Sequence, residues 1–276
     1  MKTESPQHLG KIPETMLITL WAKAEERNYK QPFLTDTKAQ EIISQIDYDF
    51  SKFKKSKFSQ AGVCLRASLF DKETSSFLAQ HPDAVVIQLG AGLDARYERL
   101  GCPSSITHWY DLDLPEAIDL RKKFFQENEQ HSFIPLSLFD TQWVETIKAH
   151  QKPILIIVEG VLMYFERDEI KVFLNTLCKE LDEATFLFDM LAYSLVGHAK
   201  NHDSLGSMQK EQRPEFKWSE LNSHNLEDWN SRIHIEKEYF MSDYERGRYP
   251  FIFRILYKIP YFYKRFNQRV IRLRIA

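Results

Sequence analysis

Cysteine is scarce. Cys64, Cys102 and Cys178 stand far apart in 276 residues, and none belongs to a C-x-x-C pair. They supply neither a zinc site nor a disulfide framework, and they suit a reducing compartment. Glycine is scarce too, at nine residues. Long apolar runs are missing: the longest, 153–165, is interrupted by Glu159 and falls short of the roughly 20 residues a membrane-spanning helix needs. Lys2, Glu4, Lys11 and Glu14 break up the N-terminus, so no signal-peptide core appears there. The sequence also lacks repeats, low-complexity tracts and a large net charge, with 37 Lys and Arg against 39 Asp and Glu. That balance removes the footprint of a strongly basic nucleic-acid binder. These absences predict a soluble, cytoplasmic protein with no transmembrane segment, no metal and no nucleic-acid partner.

What is present is the composition of a globular chain, 43% apolar and 28% charged. Its length favours a single α/β domain with insertions. Residues 14–80 read as helices: Leu17, Leu20, Trp21 and Ala24 recur at helical spacing, as do Ile42, Ile43 and Ile46. The texture then changes. Ala84-Val85-Val86-Ile87-Gln88-Leu89 is a β-branched run, followed by strands at 106–111 and 132–136. Pro153-Ile154-Leu155-Ile156-Ile157-Val158 is near-continuously apolar, as expected of a central strand buried on both faces. Residues 166–181 predict a helix and 185–189 a fifth strand. Strands alternating with helices argue for a doubly wound, largely parallel sheet. Polar residues dominate 193–230, the texture of a lid or binding insertion. Late strands are predicted at 232–240 and 269–275, with a helix over 243–259 between them. The organisation expected is therefore a helical cap (1–80), a nucleotide-binding core (81–192), a lid (193–230) and closing strands with a helix (231–276).

The charge balance hides an asymmetry. Residues 246–276 hold nine Lys and Arg and no acid, leaving 1–245 with 28 cations, 39 acids and a charge of −11. The favoured reading is a helix and an edge strand whose arginines face water and discourage edge pairing. The alternative is a patch that attracts an acidic substrate or an anionic membrane surface.

Gly90-Ala91-Gly92-Leu93-Asp94-Ala95 is a G-x-G-x-x-A at a strand end, and a second strand ends in Asp111 and Asp113 about 20 residues later. This is the context of a nucleotide loop followed by an acid for a ribose diol. The plain alternative is a tight turn with Asp94 as a helix N-cap. A pyrophosphate would sit poorly beside Asp94 and the downstream carboxylates. A nucleoside carrying a cation and no phosphate suits the loop better, and S-adenosylmethionine answers that description. Glu159 follows directly on six apolar residues, a costly place for a carboxylate unless a ligand or partner compensates it.

Gly90-Ala-Gly-Leu-Asp-Ala-Arg96, Asp111-Leu-Asp-Leu-Pro115 and Glu159-Gly-Val-Leu-Met-Tyr164 together resemble the leucine carboxyl methyltransferase family of class I S-adenosylmethionine-dependent methyltransferases. The bacterial O-methyltransferase branch, which resembles polyketide-tailoring enzymes, is closer still. The resemblance runs from Thr19-Leu-Trp-Ala-Lys-Ala-Glu25 through Asp36 and Arg66-Ala-Ser-Leu-Phe-Asp71 to the arginine-rich end. It implies a Rossmann-like α/β sheet of about seven strands, with a helical N-terminal cap and a lid insertion. It also implies a set of cofactor contacts. Arg66 would pair with the cofactor carboxylate, Gly90 and Gly92 would let the backbone approach, and Asp113, with Asp111 as competitor, would hold the ribose. Ser137 and Leu138 stand where the family usually shows Asp-Leu beside the adenine, and Glu159 completes the set. Serine accepts a hydrogen bond more weakly than a carboxylate, so this departure bears on affinity. Ala95 replaces the family's usual Thr.

Methyl transfer is a displacement at an activated carbon, and the protein's main task is positioning. A carboxylate acceptor needs no base, whereas a hydroxyl usually does. His198, His202, Tyr193 and His224 lie in the insertion, and none is singled out as catalytic. The expectation is an O-methyltransferase acting on a small-molecule carboxylate or hydroxyl. Trp21, Phe33, Phe216, Trp218 and Trp229 are expected to surround that acceptor. The alternatives are a protein C-terminal carboxyl methyltransferase and, further off, an NAD-dependent oxidoreductase or a nucleotide-binding module.

Overall fold

In the computed structural model, which describes residues 14–199 and 214–276, the predicted N-terminal periodicity becomes three helices: α1 (Glu14–Glu25), α2 (Thr37–Ile43) and α3 (Lys57–Gln80). Leu17, Leu20, Trp21 and Ala24 of α1 are all buried, and so are Ile42 and Ile46. Asp36 caps α2, its carboxylate accepting the Ala39 N–H at 2.7 Å.

The alternating segment follows as β1 (Val85–Leu89), α4 (Arg96–Arg99), β2 (His108–Asp113), α5 (Pro115–Arg121), β3 (His131–Pro135), α6 (Gln142–Lys148), β4 (Ile154–Val158), α7 (Arg167–Glu180) and β5 (Ala184–Met190). The chain closes with β6 (Ile233–Phe240), α8 (Phe251–Leu256), α9 (Pro260–Phe266) and β7 (Arg269–Ile275). Seven strands form one sheet in the order β3-β2-β1-β4-β5-β7-β6. The first five are parallel, and β7 runs antiparallel to both β5 and β6. β4 is apolar throughout because both its faces are covered. Ile154, Ile156 and Val158 enter one core cluster, and Leu155 and Ile157 the other. Strand order reverses between β1 and β4, so their carboxyl ends open a crevice where sheets of this kind bind ligands.

Three expectations are corrected here. The helix expected over 243–259 is two short helices, because Pro260 opens α9 and its ring cannot continue α8. β7 is not an edge strand; it lies between β5 and β6, and β6 is the edge. Its arginines are therefore mostly engaged. Arg269 is buried and donates to Glu238 at 2.9 Å, while Arg272 and Arg274 both pair with Glu236. Finally, Trp218 and Trp229 pack into the core beneath the sheet, and Trp21 packs against Phe53 in the N-terminal helices. Phe33 lies under the Arg246 and Arg248 guanidiniums. Of the five aromatics expected around an acceptor, Phe216 alone lines the cavity described next.

Candidate active site

The turn after β1 is pinned across the sheet: the Gly90 and Ala91 N–H groups both donate to the Leu112 carbonyl, at 2.8 and 3.1 Å. The strand thus turns out of the sheet at once, and Gly90 takes φ +70°. A Cβ there would stand 2.4 Å from the Val161 Cγ2 methyl, on a stiff β-branched side chain. Gly90→Ala is therefore expected to destabilise the fold by about 2–4 kcal/mol, combining left-handed strain with overpacking. Gly101 has the similar φ of +79° with nothing within 4 Å of its virtual Cβ. Gly101→Ala should cost only the strain, about 1–2 kcal/mol. Denaturant unfolding of the two variants, read side by side, checks the difference.

β2 delivers two carboxylates with different fates. Asp113 lines a cavity at the strand end and accepts the Gly92 and Leu114 N–H groups at 2.7 and 2.8 Å. Burial pushes its pKa up, only partly opposed by those two N–H groups and Arg121. Asp111 is 1% exposed and does not reach the cavity. Arg121 at 2.5 Å, His131 at 2.6 Å and the Trp109 indole N–H at 3.0 Å hold it. Burial pushes the Asp111 carboxyl up, but Arg121 and His131 bring it below the usual range. Neither acid caps α5, which has no side-chain cap.

Behind the glycine turn lies a buried ion-pair network. Glu159, at the end of β4, accepts from Arg66 Nε at 3.1 Å and from Arg96 Nη2. Arg66 also donates to Asp189 at 3.0 Å. Asp94 binds Lys23 and Arg99, each at 2.6 Å, instead of capping a helix. Asp71 and Asp36 complete the contacts of Arg96 and Arg99. Burial raises the Glu159 pKa, yet Lys23, Arg96 and Arg66 outweigh it and hold the carboxyl at about 2. Five carboxylates (Asp36, Asp71, Asp94, Glu159, Asp189) thus face four cations (Lys23, Arg66, Arg96, Arg99), a net −1. A buried excess charge is costly unless a ligand neutralises it. The excess of carboxylates therefore favours a ligand that carries a cationic group.

Lys23, Arg66, Asp94 and Glu159 of this network open onto a cavity of about 1280 Å³. Ser137 and Leu138 line it beyond β3, as do Arg66, Gly90, Gly92, Asp113 and Glu159. Of the predicted cofactor contacts only Asp111 is absent. The cavity continues past the strand ends into an apolar chamber walled by Phe58 of α3 and by Tyr249, Phe253, Tyr257 and Phe266 around α8 and α9. That wall was missed in the sequence, although the density of Tyr and Phe over 249–266 was visible. Of the base candidates, His198 lines the cavity, His224 pairs with Glu227 at the surface, and Tyr193 is exposed beneath Arg265. His202 lies outside the described residues. Burial raises the pKa of Tyr164, Tyr249 and Tyr257, so these lining phenols stay protonated and cannot serve as bases at neutral pH.

A dinucleotide has no seat here: α4 is only four residues long, and Asp94 stands just before it where a pyrophosphate would need positive potential. S-adenosylmethionine, with its sulfonium and ammonium, brings cationic groups to that excess of carboxylates. The sheet order, the pinned glycine turn and the acid at the end of β2 are those of a class I S-adenosylmethionine-dependent methyltransferase. The family model described as leucine carboxyl methyltransferase matches residues 15–178, and this chain belongs to that family. The tetracenomycin polyketide synthesis O-methyltransferase TcmP of Streptomyces glaucescens is 30% identical over 232 residues, 84% of each chain. Two solved structures share the fold at low identity. A DUF574 family protein from Streptomyces avermitilis has a TM-score of 0.57 at 6% identity, over 92% of this chain and 97% of its own. An S-adenosylmethionine-dependent methyltransferase from Anabaena variabilis has 0.50 at 11%, over 74% and 84%. The protein is an enzyme, a methyltransferase whose methyl donor is S-adenosylmethionine. Among the described residues no helix is long and apolar enough to cross a membrane.

Proposed function

We propose that the protein transfers the methyl group to an oxygen of a small, largely apolar molecule bearing a carboxylate or an acidic hydroxyl. The observation that carries this reading is the chamber continuous with the cofactor site. At about 1280 Å³ the cavity exceeds the roughly 300–1,000 Å³ of a single small-ligand pocket, so it has room for two ligands. In the half nearer the sheet, Arg66 Nη2, which has no hydrogen bond in the network, would receive the cofactor carboxylate. Glu159 and the excess negative charge would face its ammonium and sulfonium, and Asp113 its ribose. The edge at Ser137 and Leu138 would meet the adenine, while Gly90 and Gly92 allow the close approach of backbone. When bound, the cofactor supplies an electrophilic methyl carbon.

The other half would take the acceptor. Its lining tyrosines are held protonated by burial and do not take protons, which suits an acceptor that ionises by itself. Lys23 and Arg66, the lining cations among the described residues, already hold carboxylates. An oxyanion loses its charge as it attacks, so a free cation beside it would stabilise the ground state more than the transition state. TcmP, an O-methyltransferase of polyketide synthesis, supports the same reading.

The test is a methyl-transfer assay comparing small aromatic and aliphatic acids and phenols with peptides ending in a free carboxylate. Labelling of the small acceptors is expected. Labelling of the peptides alone would overturn this reading in favour of protein carboxyl methylation.

A further inference from the structure

α8 and α9 have two faces. Inward, Phe253, Tyr257 and Phe266 wall the acceptor chamber. Outward, five large apolar side chains stand in water: Phe251 at 72% exposure, Ile252 at 58%, Ile255 at 42%, Ile259 at 45% and Tyr261 at 59%. They account for half of the ten exposed large apolar residues among those described, packed into eleven positions. Scattered exposed apolar residues are ordinary, whereas a contiguous patch marks an interaction site.

Charge around the patch is one-sided. Arg246, Lys258, Lys264 and Arg265 have no ion-pair partner among the described residues. Arg265 lies over Tyr193 and Tyr261, and Arg246 over Phe33. The nearest acids are occupied: Asp243 accepts the Tyr263 hydroxyl at 2.7 Å, and Glu245 pairs with Arg254 at 3.0 Å. Residues 246–276 contain no acid. A second copy of the chain pairing through this face about a two-fold axis would set the same cations against one another. An anionic partner is complementary to all of them. Exposed apolar side chains such as Phe251 and Ile252, on a segment that also carries Lys258 and Lys264, have the composition of segments that seat in a lipid headgroup layer, where one apolar signal and one basic signal act together.

We propose that the outer face of α8 and α9 docks the enzyme onto an anionic lipid surface and holds the acceptor end of the cavity against the bilayer. An apolar acceptor dissolved in the membrane would then reach the chamber through the helices that wall it. The docking stands on the surface chemistry alone and does not depend on which acceptor is methylated.

Vesicle co-sedimentation with the full chain tests this. The protein should pellet with phosphatidylcholine vesicles containing phosphatidylglycerol and stay in solution with phosphatidylcholine alone, and added salt should release it. Each cation removed near the surface should weaken binding about fivefold, so Lys258→Gln with Lys264→Gln should lower partitioning about twenty-fivefold. Phe251→Ser with Ile252→Ser should remove most of the rest. None of these four side chains lines the cavity, so both double variants should bind S-adenosylhomocysteine like the parent in calorimetry, which also reports that they are folded. Absence of binding to anionic vesicles overturns the proposal, as does equal binding to neutral ones or binding that survives both double variants. Light scattering that finds a dimer dissolved by Phe251→Ser and Ile252→Ser would assign the face to a second copy and overturn it as well.

Discussion

Glu159→Ala is expected to abolish S-adenosylmethionine binding in calorimetry, while Glu159→Gln keeps part of it. The alanine variant leaves Arg66 and Arg96, both buried, short of a carboxylate, and so shifts the network from −1 to neutral while leaving unsatisfied donors. Breaking one partner of a buried ion pair costs about 3–5 kcal/mol, so a lower melting temperature should accompany the loss. Glutamine preserves the shape and an acceptor oxygen for one of the two arginines, while its NH2 faces the other and the charge that would attract a cationic ligand is lost. If Glu159 were merely a structural ion, both variants would bind normally and differ only in melting temperature.

The pH dependence has a definite sign. The Glu159 carboxyl is lowered from 4.5 to about 2, so its ionised form is favoured by the fold. At neutral pH this contributes about 3 kcal/mol of stability, which begins to fall below pH 4.5 and is gone near pH 2. Glu159→Gln should therefore flatten the acid limb of a stability-versus-pH curve. An unchanged acid limb would mean that the network does not hold this carboxylate ionised.

Much of the fold was legible because its strands carry strong local signals. The β-branched run of β1 and the unbroken apolar run of β4 can be satisfied only at the centre of a covered sheet, and the structure places them there. The late strands were legible from alternation, but their order was not. β7 folds back between β5 and β6, and nothing local marks a strand as interior when its arginines find Glu236 and Glu238 on the neighbouring strand. The site was legible where one motif holds the whole feature, as at Gly90 or Asp113. It was not where partners are remote in sequence. Lys23 and Asp94 meet across 71 residues, and Arg66 and Asp189 across 123. The aromatic wall of the chamber illustrates the same limit: the aromatic content of 249–266 is plain, but only the packing of Tyr249 and Phe253 on Phe58 shows which side faces the cavity.

The two aspartates of β2 should separate binding from folding. Asp113→Asn is expected to weaken S-adenosylhomocysteine binding by about 1–3 kcal/mol, about five- to 150-fold, through loss of charge-assisted hydrogen bonds to a ribose diol. It should leave the melting temperature of the unliganded enzyme nearly unchanged. Burial raises the Asp113 pKa, so the fold disfavours its ionised form, and ionisation on going from acid to neutral pH subtracts stability. The amide removes that penalty, which offsets the loss of an acceptor for one of the two N–H groups, Gly92 or Leu114. Asp111→Asn should do the reverse. Its carboxylate is held below the usual range among Arg121, His131 and Trp109, so its charge adds stability that is fully present above the ordinary carboxylate pKa and fades in acid. Losing it strands the buried Arg121 guanidinium, at a cost of about 3–5 kcal/mol. Whatever folded Asp111→Asn enzyme remains should bind the cofactor product with near-parental affinity, because its side chain does not reach the cavity. Calorimetry paired with thermal unfolding on both variants decides the matter. A parental affinity in Asp113→Asn together with a lost affinity in folded Asp111→Asn would reverse the two roles.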